Sequence, residues 1–97
     1  MKQLTTRQVE KMMREQSVEI IDVREAFEVH FGTIPGSKNI PLAQIEQRLQ
    51  EFNKKTTYII ICHSGSRSGA VANFLNAHGY DAYNMAGGLI NWRGELE

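Results

Sequence analysis

Thr57-Tyr58-Ile59-Ile60-Ile61-Cys62-His63-Ser64-Gly65-Ser66-Arg67-Ser68 is the stretch on which the fold turns. Its first five residues are β-branched or aromatic, which suits a pleated strand. The apolar run does not alternate with polar residues. A strand of that kind is covered on both faces, as in the centre of a parallel sheet. The strand is expected to end at Ile61, a loop of small residues follows, and a helix begins near Arg67. In that helix Val71, Phe74, Leu75 and His78 share one face, and Gly79 is placed to end it with a left-handed cap. Cys62 therefore sits where a central strand stops. In open α/β sheets, ligand chemistry gathers beyond the C-terminal ends of the strands.

The flanking sequence extends the same alternation. Upstream, Thr5 or Thr6 can cap a short helix whose Val9, Met12 and Met13 form one apolar face. Val18 to Val23 is rich in β-branched residues and is a second predicted strand. Arg24 to Glu28 suits a turn or a single helical turn, and Gly32-Thr33-Ile34-Pro35-Gly36 a bend. Ile40 falls in a very short buried strand or bend closed by Pro41. Leu42, Ile45, Leu49 and Phe52 recur at separations of three, four and three, which predicts another helix ending at Lys54-Lys55. Downstream come a short strand over Ala82 to Met85, a Gly87-Gly88 turn, and a terminal helix over Leu89 to Leu96 with Trp92 on its apolar side. Strands alternating with helices predict an α/β fold with helices on both faces of a mainly parallel sheet.

Composition narrows the possibilities. With 97 residues, one domain over 1–97 with one active site is expected. Eleven basic residues balance eleven acidic ones. The basic residues are scattered, with Lys54-Lys55 the one adjacent pair, so no nucleic-acid surface is expected. The single cysteine excludes an internal disulfide and a CxxC redox pair. One cysteine and three scattered histidines, His30, His63 and His78, make no structural zinc pattern, and no metal is expected. No apolar run reaches the length of a membrane span. The polar start MKQLTTRQVEKMM lacks a signal core, and a cytoplasmic location is the expectation.

Chemistry concentrates at Cys62. A lone cysteine behind an apolar strand is ordinarily a small buried hydrophobe, and Ser64, Ser66 and Ser68 taken singly suit turns and caps. Together they form a loop in which small residues let backbone N–H groups converge, with the positive end of a helix beside them. Such a cradle lowers a thiol pKa and favours a nucleophilic thiolate. Gly65 permits a backbone conformation that larger residues resist. Arg67 can present a guanidinium fork to sulfonate or phosphate oxygens, or brace the loop by pairing with an acidic side chain. His63 is expected to face solvent.

The run from Cys62 to Ser68 resembles the active loop of bacterial rhodanese domains, in which the cysteine opens the loop and an arginine lies five residues later. Three further stretches agree in the family's order: Asp22-Val23-Arg24-Glu25, His30 through Pro41, and Met85-Ala86-Gly87-Gly88-Leu89-Ile90-Asn91-Trp92. Together they span almost the whole chain. The resemblance implies a three-layer α/β domain and a sulfurtransferase that needs no cofactor. Cys62 would attack the outer sulfur of a donor such as thiosulfate, releasing sulfite and leaving a Cys62 persulfide. Cyanide, a small thiol or a protein sulfur acceptor would then take the sulfur. Cys62 and Arg67 would be catalytic, His63, Ser64, Gly65, Ser66 and Ser68 would form the substrate loop, and Asp22 and Arg24 would support it. The loop lacks the lysine of some thiosulfate-using members, and the alternative is a persulfide relay or regulatory interaction module with little turnover. Phosphatases of the same fold carry Cys-x5-Arg. The Cys62-x4-Arg67 spacing makes a narrower cradle, better matched to sulfur than to a phosphoryl group.

Overall fold

The computed structural model describes residues 2–97. Its elements run β1 (Gln3–Leu4), α1 (Thr6–Glu15), β2 (Glu19–Asp22), α2 (Ala26–Val29), β3 (Lys38–Asn39), β4 (Thr57–Ile61), α3 (Ser66–Ala77) and β5 (Asp81–Met85). The strands form one parallel sheet in the order β1-β5-β4-β2-β3. The apolar strand β4 is at its centre, as its unbroken hydrophobicity predicts.

Successive side chains of β4 point to opposite faces and enter two separate cores. Tyr58, Ile60 and Cys62 pack with Ile45, Phe52 and the α3 residues Val71, Ala72 and Leu75. Ile59 and Ile61 pack with Ile34, Met85 and the α1 face of Val9, Met12 and Met13. The result is three layers. Ile59, Ile60 and Ile61 are fully buried, and each such side chain contributes about 1.5–3 kcal/mol to folding.

Local signals fix the helix ends. Thr5 is the N-cap of α1: its Oγ1 accepts from the Gln8 amide at 3.1 Å, and the Gln8 side chain accepts from the Thr5 amide at 2.8 Å. This reciprocal capping satisfies two otherwise free donors. At the end of α3, Gly79 N–H donates to Asn76 O and Tyr80 N–H to Leu75 O, closing the helix on the expected glycine. His78 does not join the apolar face. The helix ends there, and its exposed ring stacks beside Phe74 at 4.2 Å.

Two expected helices are absent. Leu42 to Phe52 forms two short 3-10 turns, Leu42–Gln44 and Leu49–Glu51. In a 3-10 turn positions three apart eclipse, so each three-residue spacing (Leu42 to Ile45, Leu49 to Phe52) is satisfied within one turn. The four-residue step falls at the joint between them. At the C-terminus only Leu89–Asn91 turns, and Trp92 is already extended. Gly94 is a poor helix former, and the final residues find other partners. Thr33 N–H donates to Glu97 O at 3.1 Å, and Glu97 N–H to Thr33 O at 2.9 Å. Trp92 still packs against the α1-side core. Strand β1 was not anticipated, because two residues carry no readable period; it adds to the edge of β5.

Among the described residues, no helix is long and apolar enough to cross a membrane.

Candidate active site

The end of β4 delivers Cys62 into a tight loop, where it is 1% exposed. Its Sγ accepts from the Gly65 amide at 3.1 Å and the Ser68 amide at 3.3 Å, and lies 3.2 Å from Ser68 Oγ. Gly65 makes this closure possible. Its φ is +99°, and a Cβ there would lie 3.2 Å from Gly87 N and 3.3 Å from Met85 O. The other wall of the loop is stitched to the turn after β5. Leu89 N–H donates to Cys62 O at 2.9 Å and Ile90 N–H to His63 O at 3.0 Å. Only glycine fits at position 88, since a Cβ would stand 2.3 Å from the His63 carbonyl oxygen.

Burial by itself pushes the Cys62 thiol up. The Ser68 hydroxyl and the amides of Ser68, Gly65 and Ser64 pull it down, and the balance lies below the ordinary thiol value. Hydrogen bonds to the charged form favour that form. The sulfur is thus shielded, and its thiol ionises more readily than an ordinary one.

Arg67, in the first turn of α3, reaches across to Glu28 on α2. Its Nη1 donates to Glu28 Oε1 at 2.7 Å and its Nη2 to Glu28 Oε2 at 2.9 Å. The Arg67 hydrogen bonds, helped by the Glu25 amide, hold the Glu28 carboxyl down at about 2. The same pair raises Arg67 above its ordinary value.

Asp22 and Arg24 support this arrangement from below. Asp22 is fully buried and takes Arg24 Nη2 at 2.7 Å, Arg24 Nε at 3.0 Å, the Arg24 amide at 3.0 Å and Thr33 Oγ1 at 2.7 Å. Arg24 also donates to Glu28 O at 3.3 Å and Gly32 O at 2.8 Å. The ion pair therefore anchors the short helix that carries the partner of Arg67.

The structure brings Cys62, Gly65 and Ser68 into contact, with Arg67, Asp22 and Arg24 joined to them through Glu28 and the β2 end. His63, Ser64 and Ser66 are exposed. Glu28 was missed as the acidic partner, although β2 and β4 are neighbours and the segments that follow them must meet at one sheet end. Asn84, which contacts Ser68, was also missed. Among the described residues, no group of three or more His, Cys, Asp or Glu side chains is placed to hold a metal ion.

The family model for the rhodanese-like domain matches residues 5–95. The chain belongs to the rhodanese family. A rhodanese-like domain protein from Staphylococcus aureus superposes with a TM-score of 0.93 at 41% identity, covering 100% of this chain and 97% of the other. A sulfurtransferase from Allochromatium vinosum is 33% identical over 79% of this chain and 73% of its own length. The thiosulfate sulfurtransferase GlpE of Pseudoalteromonas translucida is 30% identical over 94% of this chain and 88% of its own. A putative sulfur carrier protein of Bacillus subtilis is longer: the rhodanese chain spans 48% of its length, against 85% of a putative sulfurtransferase from the same organism. In this rhodanese domain the candidate catalytic cysteine is Cys62, buried at the end of the central strand.

Proposed function

We propose that this chain, as a single rhodanese domain, moves sulfane sulfur from thiosulfate or another persulfide donor to cyanide or a thiol acceptor through a Cys62 persulfide. The observation that carries the reading is the buried sulfur receiving two loop amides, with the Ser68 hydroxyl 3.2 Å away. The thiolate attacks the outer sulfur of the donor, the donor's S–S bond breaks, and its electron pair leaves with the remaining fragment. A second attack by the acceptor on the outer sulfur returns the Cys62 thiolate. Splitting one transfer into two displacements is the usual benefit of a covalent intermediate. The GlpE likeness supports thiosulfate as one donor. Intact-protein mass spectrometry after thiosulfate treatment should show one added sulfur, removed by cyanide or by a small thiol. A mass that does not change with either thiosulfate or a persulfide donor would overturn the reading.

The Arg67 fork favours a second reading of the same site, a relay that passes persulfide sulfur with little thiosulfate turnover. Both guanidinium arms engage Glu28, and the loop carries no lysine. Arg67 then acts by bracing the loop. Arg67→Lys keeps the charge but loses the planar fork, and Glu28→Gln removes the ionised partner. The expected result is the same slowing of loading in both, roughly tenfold, the equivalent of about 1.4 kcal/mol. Slowing in Arg67→Lys alone would instead place the guanidinium on the donor. Pre-steady-state loading paired with thermal unfolding reads the difference.

A further inference from the structure

Ser68 has one proton and two neighbours that compete for it. Its Oγ lies 3.2 Å from Cys62 Sγ and is hydrogen-bonded to Asn84 Oδ1 on β5. The Asn84 amide can point only one way. Its nitrogen is 3.1 Å from the Gly65 carbonyl oxygen, which only accepts, and 2.9 Å from Gln3 Oε1. Oδ1 is therefore the atom turned to Ser68, and the Ser68 hydroxyl must donate to it. Gly69 gives the amide room, since a Cβ there would press on Asn84 Nδ2 at 3.3 Å.

In the thiol form this chain is complete: the S–H donates to Ser68 Oγ, and the Ser68 O–H donates to Asn84. When the thiol gives its proton to solvent, the sulfur only accepts. Turning the Ser68 proton to it then strands the oxygen of Asn84, a residue 4% exposed, and an unsatisfied buried acceptor is costly. When Sγ is bonded to a second sulfur, the charge sits on the outer atom. The Ser68 proton can then return to Asn84.

We propose that Asn84 is a positioning residue that competes with Cys62 Sγ for the Ser68 proton, so that the thiolate is stabilised less than the loop amides and an uncontested hydroxyl would allow, which favours keeping the sulfur loaded. The proposal rests on the reading of Cys62 as a sulfur carrier. The charged and titratable groups around this sulfur are Asp22 and Arg24 at the end of β2, Glu28 on α2, Arg67 on α3 and the exposed His63 of the loop. From β5 and β1 the near side chains, Asn84 and Gln3, are neutral, and the charged Asp81 and Lys2 pair with each other at 2.6 Å.

The test is the pH dependence of Cys62 alkylation by iodoacetamide in unloaded protein, with thermal unfolding of each variant. Asn84→Leu and Asn84→Ala remove the competing acceptor, and the midpoint should fall by roughly one pH unit, the size expected from one unsatisfied acceptor. Asn84→Asp holds the Ser68 proton harder and should raise the midpoint. In a Ser68→Ala background the Leu and Ala substitutions should lose most of their effect, whereas the Asp carboxylate should still repel the thiolate directly. A thiolate with a lower pKa is a better leaving group, so loaded Asn84→Leu should also release its sulfur faster to a small thiol. If Asn84 only packs the loop, its loss would loosen the amides at Sγ and raise the midpoint in every variant, Ser68 present or not. That outcome, or no shift, overturns the proposal. Alkylation needs no sulfur donor. A parent protein that titrates as expected yet never gains sulfur would defeat the carrier reading alone.

Discussion

Cys62→Ser should gain no sulfur from any donor while remaining folded. The parent is expected to gain one sulfur atom, and the variant none, because a serine hydroxyl at this position is neither ionised nor nucleophilic towards sulfane sulfur. The substitution suits the site sterically. The hydroxyl still faces the Gly65 and Ser68 amides that now serve Sγ, so a stability loss of only about 1 kcal/mol is expected. Intact mass after donor treatment, with a thermal melt of the same sample, reads both. Sulfur loading that survives in a folded Cys62→Ser protein would sink the assignment, since the chain has no other cysteine.

Asp22→Ala should produce the largest stability loss of any change at the site, about 3–5 kcal/mol, the usual result of stripping the partner from a buried charge. Arg24 is 7% exposed and would keep its guanidinium in the protein interior, with only the carbonyls of Glu28 and Gly32 to receive it. Thr33 Oγ1 would lose its carboxylate but keep Ser37 Oγ at 3.0 Å. Urea unfolding measures the loss. Adding Arg24→Met to Asp22→Ala removes the stranded charge and should recover a large part of it. A single-variant loss below about 1 kcal/mol, or a double variant weaker still, would show that the pair does not anchor α2. Loading should slow along with stability, because Glu28 and its grip on Arg67 sit on that short helix.

The elements legible in the chain are those whose signal is local. Ile59 to Ile61 are apolar without alternation because β4 is covered on both faces, and that pattern alone puts Cys62 at the end of a central strand. Thr5 and Gln8 announce the start of α1, and Gly79 the end of α3, because each cap is made within a few residues. Where periodicity met a competing partner it misled. The spacing of Leu42, Ile45, Leu49 and Phe52 is satisfied equally by two 3-10 turns. The segment after Trp92 gave up helix to exchange backbone hydrogen bonds with Thr33.

The composition of the sulfur site was legible too: a cysteine, a glycine that permits the turn, and amides gathered by small residues. Its polar wiring was not. Glu28 and Arg67 stand 39 residues apart, Ser68 and Asn84 16, and Gln3 and Asn84 81. Hydrophobic period reports which face of a strand or helix is buried, and says nothing of which polar atoms will meet across the layers. Those meetings follow from strand order. With β2 beside β4, the acid on α2 reaches the arginine on α3. With β5 on the other side and β1 beyond it, two neutral amides line the opposite wall of the sulfur loop.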